Sequence, residues 1–249
     1  MNWRARPGSQ AEQVGRLVLA GLVVVFLPQL PLGNFVAYPF MILTTWFHEM
    51  GHGIAAMATG ARFERLVILP GGSGYAESYF LGEPGAVQRA IVAAGGPLGP
   101  VLAGSALIAA TRRRALWRPA LYVLAGILAL SAVIWVRSTA GLLVLPLIAL
   151  GLVLLARRGR DGLVRFAVQF LGMLGALSML RDWDYLFSEG GMIAGRRMVS
   201  DTQAIEDALL LPHWVWAIAI VLFSGLTIGA ALRYALAEDG RSASARRWN

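Results

Sequence analysis

Long apolar stretches alternate with short arginine-rich runs along this chain, and the apolar stretches have the length of membrane-crossing helices. A hydrocarbon core about 30 Å thick takes roughly 20 residues per helix, within a range of about 17 to 25. On that measure six or seven spans are predicted, at about 14–32, 35–58, 87–110, 121–136, 141–156, a sixth ending near 180, and 214–236. The first has the charged start and apolar middle of a signal peptide. No small-x-small cleavage site follows and Pro28 and Pro31 end it, so it reads as a retained anchor. Between the second and third spans the period changes: RFERLVILP, GGSG and YAESYF have the grammar of a β-hairpin over 62–82. Lipid cannot satisfy a bare strand edge, so this hairpin belongs at the interface or against protein. The predicted fold is an all-α polytopic membrane protein, a bundle of six to seven transmembrane helices with a small interfacial β-hairpin. Its expected parts are an anchor helix over 1–34, a core of the second span, hairpin and Gly-rich helix over 35–110, scaffold helices over 111–160, a helix and polar loop over 161–211, and a last span with a basic tail over 212–249.

Composition agrees with a lipid solvent. Of 249 residues, 57% are hydrophobic and 14% charged, against about 25% charged in an ordinary soluble domain. Disorder needs the opposite balance. The net charge of +8 does not point to nucleic acid, because the basic residues, all arginine, flank the spans as anchors to the lipid bilayer. There is no cysteine, so any metal must be held by His and carboxylates. The all-Arg usage with abundant Ala and Gly fits a GC-rich bacterial genome and a multi-pass protein of the cell membrane.

His48, Glu49 and His52 form HEMGH inside the second span. Residues four apart lie about 40° apart around a helix and one turn along it, so both imidazoles can reach one zinc ion. Glu49 points in an adjacent direction, where it can act as general base on water activated by the metal. From the chain's three His and eight Glu, a chance HExxH arises in roughly one such sequence in a thousand. The plainer alternative, two histidines packed between helices, sits poorly with the cost of ionisable groups in a membrane.

A catalytic zinc takes a third protein ligand. His213 adjoins Trp214 at a helix start and reads as interfacial. Asp182 and Asp184 end the sixth span, which by parity returns to the membrane side of HEMGH; Asp182 ranks first, Asp184 second and Asp201 third. The alternative for the first two is a solvated acid pair answering Arg181.

These stretches resemble the site-2-protease family of intramembrane zinc metalloproteases, and more narrowly its compact M50B-like branch. The likeness rests on HEMGHGIAAMATGARFERLVILPGGSGYAE and AAGGPLGPVLAG, with a weaker echo in RDWDYLF and SDTQAIEDALLLPHWVW. The resemblance implies a Zn2+ protease acting on membrane protein substrates, with His48 and His52 as ligands, Glu49 as base and Asp182 or Asp184 as third ligand. The chain departs from the larger family at that Asp, where LRDWD stands in place of an LDG-type motif.

A transmembrane helix must be unwound before it is cut, and an edge strand from 62–80 can pair with the extended chain. Gly71, Gly72 and Gly74 are the candidate substrate-binding positions there; a hairpin that only caps the bundle fits them equally. Gly95, Gly96, Pro97, Gly99, Pro100 and Gly104 suit close helix packing, a flexible gate or a lining for the helix that carries HEMGH. Two other functions use the same residues: a catalytically silent membrane scaffold or binding protein, and an ion or metal carrier with the His and Asp groups as a relay. The arginine count places the C-terminus in the cytoplasm and the site outside; the resemblance leans to a site near the cytoplasmic face. Orientation stays open on these two arguments.

Overall fold

The structure is a computed structural model that describes residues 10–193 and 195–237. Arg4 and Arg6, and the basic tail with Arg241, Arg246 and Arg247, lie outside the described residues. The chain runs through α1 (Gln10–Phe26), a 3-10 turn, α2 (Gly33–Ala58), β1 (Arg62–Ile68), β2 (Gly74–Tyr79), α3 (Ala86–Ala110), α4 (Arg114–Ile134), α5 (Thr139–Arg158) and α6 (Asp161–Arg181). There follow the single-turn α7 (Trp183–Leu186), β3 (Gly190–Ile193), β4 (Arg196–Val199), α8 (Asp201–Leu209) and α9 (His213–Leu236). Among the described residues six of these helices are long and apolar enough to cross a membrane: α1 with its 3-10 turn, α3, α4, α5, α6 and α9. The protein is thus an all-α polytopic membrane protein. The 26-residue α2 packs among the six, with Thr44, Thr45, His48, Glu49 and His52 on one helix. Outward faces are apolar, as lipid requires: Val133 is 78% exposed and Leu226 75%.

Helix α4 begins seven residues before the predicted span. Its first turns are basic and would be costly in lipid, but Arg114 and Arg118 both bind Asp161 at the start of α6, and Arg118 also donates to Gly159 O. The helix therefore extends past its apolar stretch because its arginines are paired.

Helix α3 is the central element. It packs against α2, α6, α8 and α9, and glycine makes the first two contacts possible. A Cβ on Gly95 would lie 2.6 Å from Gly51 O, and one on Gly99 2.8 Å from Phe47 O. On the opposite side a Cβ on Gly104 would lie 2.6 Å from Gly172 O, and one on Gly175 2.6 Å from Pro100 O. Backbone meets backbone at both crossings, the close approach that small residues permit between membrane helices. The main core closes around this pair with Ile42, Leu43, Leu66, Leu121, Leu128 and Leu145, all fully buried, and Trp46 Nε1 donates to Ser131 Oγ at 2.8 Å.

The predicted hairpin is present, antiparallel from Arg62 opposite Tyr79 to Ile68 opposite Gly74. Strand β1 packs on α2 and α5, and its second edge is closed as well. Leu66 N donates to Trp135 O at 2.9 Å and Arg137 N to Leu66 O at 2.8 Å, while Ile68 N donates to Ser138 Oγ. The 190s hold a finding the sequence did not predict. Where a polar loop was expected, 181–211 folds into α7, a second antiparallel hairpin (Gly190 opposite Val199, Ile193 opposite Arg196) and α8. Strands of four residues, two of them glycine in β3, carry too little alternation to register as strands.

Gly51→Val is expected to force α2 and α3 apart and to lower the thermal midpoint in detergent, an overpacking cost of about 1–3 kcal/mol. Gly126→Ala in α4, where an added Cβ meets nothing within 4 Å, is expected to leave the midpoint unchanged or raise it. Thermal unfolding of both variants by intrinsic tryptophan fluorescence checks the pair.

Candidate metal centre

Helix α2 places His48 and His52 one turn apart with ring centroids 4.9 Å from each other and planes at 74°. Their Nε2 atoms converge on one carboxylate, which belongs to Asp201. His48 Nε2 lies 3.1 Å from Asp201 Oδ2 and His52 Nε2 3.2 Å from Asp201 Oδ1. All three side chains are largely buried, with Asp201 at 13% exposure, and among the described residues they form the group able to hold a metal ion.

The donor set fits a divalent cation on two counts. Zinc bonds of about 2.0–2.1 Å at tetrahedral angles set ligand atoms about 3.3 Å apart, close to the two observed separations. The second count is a hydrogen-bond argument. His52 Nδ1 is 2.8 Å from Val92 O, and a carbonyl can only accept, so Nδ1 carries a proton. In the neutral ring Nε2 is then a lone pair facing a carboxylate oxygen. Two acceptors at that distance repel unless positive charge stands between them, as a proton or as a metal ion. Fixing a ligand's tautomer through its second nitrogen is the usual arrangement at metal sites.

Space for the imidazoles comes from α3. A Cβ on Gly96 would fall on the Nε2 atoms of both His52 and His48. Gly96 is thus the floor of the site, the lining role that the sequence offered for this stretch, while Gly95, Gly99 and Gly104 serve helix packing.

Asp201 is delivered by a separate piece of chain. It occupies the first turn of α8, whose N-cap Ser200 accepts from Gln203 N at 3.1 Å. Ser200 N donates to Glu189 O, and Thr202 Oγ1 donates to Leu186 O at 2.7 Å; both side chains are fully buried. The inner face of α8 is held by Ile205, packed with Ala90 and Ala93 of α3 and Ala217 and Ile220 of α9. Burial alone would push the Asp201 carboxyl up, but the adjacent imidazoles reverse this and hold it well below the usual carboxylate range.

The expected carboxylates do not join this group. Helix α6 does return to the site, as parity predicted, and Arg181 Nη1 donates to Thr44 Oγ1 at 3.1 Å. The helix stops there, however, and Asp182 becomes the turn into α7. Its carboxylate borders the cleft with an oxygen 3.4 Å from Arg181 Nε, while Asp184 is exposed on α7. Proximity to the span favoured these two, whereas the chain returns once more on the same side and brings in Asp201. A signal for it was present: Ser200 and Gln203 in SDTQ form a capping-box pattern, which starts a helix at Ser200 and puts an acid at its first position. His213 sits apart, bonded through Nδ1 to Glu206 Oε2 at 3.1 Å.

A cleft of about 790 Å³ opens onto the three side chains. Glu49 borders it at 6% exposure. Gly71, Gly72 and Gly74 all border it too. Gly72 needs its freedom, with φ at +87°, and its carbonyl accepts from Thr45 Oγ1 at 2.5 Å. A Cβ on Gly74 would lie 3.2 Å from Glu49 Cγ, so the start of β2 runs directly beside the carboxylate. Tyr185 forms part of the opposite wall and donates to Val199 O at 2.9 Å; burial pushes its phenol up, which keeps it a donor.

Neither the curated proteins nor the solved structures contain a match to the chain. The family described as Peptidase M50B-like matches residues 17–231. That range runs from α1 into α9 and takes in both imidazoles, Glu49, the two hairpins and Asp201. With the match covering most of its length, the chain belongs to the Peptidase M50B-like family, a branch of the site-2 protease family.

Proposed function

We propose that the protein is a zinc endopeptidase of the bacterial cell membrane that hydrolyses peptide bonds in membrane-embedded or membrane-proximal proteins, the chemistry of regulated intramembrane proteolysis. The observation that carries this reading is the meeting of two imidazole Nε2 atoms and one carboxylate beside Glu49 inside a bundle of apolar helices. His48, His52 and Asp201 would hold Zn2+, which when bound supplies Lewis acidity toward water and toward a peptide carbonyl.

The chain's own residues supply the rest. Glu49, shielded from bulk solvent, accepts a proton from the attacking water and gives a proton to the amide nitrogen as the C–N bond breaks. Val92 O holds the His52 ring in one tautomer. Gly96, with no side chain, leaves the room that both rings occupy. Because β1 is paired on both edges, the open edge of the first sheet belongs to β2. An unwound segment that adds to that edge beyond Gly71, Gly72 and Gly74 passes next to Glu49.

Three outcomes are expected of the purified protein. Zinc analysis should give one ion per chain for the native form and for Asp184→Ala, and a loss of bound zinc for Asp201→Ala; retention in the latter would remove Asp201 from the ligand set. Glu49→Gln should keep its zinc while cleavage of a transmembrane peptide falls by about 10²–10⁴, the usual share of a general base, and undiminished cleavage would refute the mechanism. In Gly96→Ala the added methyl displaces both rings, so zinc should be lost with the helices still folded by circular dichroism.

A further inference from the structure

At the end of the bundle remote from the metal centre, one enclosed arginine has no counter-charge. Arg165 lies in the second turn of α6, about 24 Å along that helix from Arg181 at the cleft. It is 8% exposed, its Nε is buried without a hydrogen-bond partner, and among the described residues it forms no ion pair. The acids described at this end are already taken. Asp161 is held by Arg114 and Arg118, and Glu12 by Arg16 Nη2 at 2.7 Å, while Arg16 Nη1 donates to Gly162 O. One turn deeper on the same face of α6, Gln169 is fully buried with both amide atoms unpartnered. Unmet hydrogen-bonding capacity is thus concentrated in one turn of a helix, at a guanidinium that also feels the like charge of Arg16.

A charge taken out of water needs a counter-charge or a set of hydrogen bonds. The ring of Trp117 in α4, with its centroid 5.1 Å from the Arg165 guanidinium carbon, supplies attraction but no lone pair for the forked N–H groups. We infer that Arg165, with Arg16 beside it, is a binding site for a phosphate group. A guanidinium fork matches two phosphate oxygens, and Arg16 keeps N–H groups beyond those it gives to Gly162 O and Glu12. Arg165 stands about 6 Å below the start of α6, near the depth at which a membrane carries its own anion, the lipid phosphodiester. Exposed arginines at this end meet headgroups as a diffuse layer of charge. Arg165 differs in being enclosed, with an aromatic wall from α4 and a second cation from α1, so the site selects by shape as well as by charge. The inference stands apart from the protease reading, because α1, α4 and the first turns of α6 do not border the cleft.

The test uses the full-length chain, stripped of lipid in an uncharged, phosphate-free detergent. It is titrated with phosphatidylglycerol, with diacylglycerol, which lacks the phosphate, and with inorganic phosphate, while bound ligand per chain and thermal midpoint are followed together. A single phosphatidylglycerol per chain is expected to bind and raise the midpoint, with diacylglycerol silent. Inorganic phosphate that competes would assign the site to a soluble phosphate compound, and phosphate that does not would assign it to the lipid. Arg165→Met is expected to bind the ligand about tenfold more weakly. Arg158→Met, which removes an exposed charge at the same end, should stay within about twofold of the native chain. Native affinity in Arg165→Met, equal weakening in Arg158→Met, no binding of either phosphate compound, or diacylglycerol as effective as the phospholipid would overturn the site. Where Arg165→Met does not fold, Arg165→Lys decides: it keeps the charge and loses the fork, so it should bind more weakly than Arg158→Met, and affinity equal to that control would overturn the site.

Discussion

Side-chain absence at a few points of two helices governs this structure. α2 and α3 touch through Gly51, Gly95 and Gly99, and at that spacing the next glycine, Gly96, lies under the Nε2 atoms of His48 and His52. In lipid the hydrophobic effect does not drive helices together, so contact must come from van der Waals packing and hydrogen bonds between closely fitted surfaces. Here the same close fit that holds the bundle also leaves room for the two imidazoles and sets His52 against the carbonyl, Val92 O, that orients its ring. Packing and chemistry share one set of atoms, so neither can be altered alone.

Around that contact the polar groups are arranged by satisfied backbone. Each hairpin would be intolerable as an isolated ribbon in lipid. The first avoids this by lodging β1 between β2 and residues 135–137. The second is tied down through Ser200, Thr202 and Tyr185, whose hydroxyls bond to backbone carbonyls of the segments on either side. Asp201 gains its fixed position from those bonds and from the small apolar residues under α8.

Legibility from sequence followed the strength of each physical signal. Spans of about 20 apolar residues have few rivals, and α3, α5 and α9 lie within a few residues of their predicted limits. HEMGH was equally plain because helix geometry alone brings His48 and His52 together. The third acid was not, since its place depends on contacts between elements distant in sequence: α6 ends one residue short of Asp182, and a four-residue α7 and two four-residue strands turn the chain before Asp201 arrives. Short Gly-containing strands such as β3 take their form from their partner strand more than from their own composition. The glycines of α3 were visible, but their division between packing and site lining depends on which of them faces a ring.

Asp201 comes late in the chain, after both histidines and every element from β1 to β4. A ribosome adding about 5–20 residues per second releases the acid roughly 7 to 30 s after the HEMGH helix has emerged. During that interval the two imidazoles lack the third member of their group. The order of synthesis therefore leaves the group able to hold a metal incomplete until α9 alone of the long helices remains to be made.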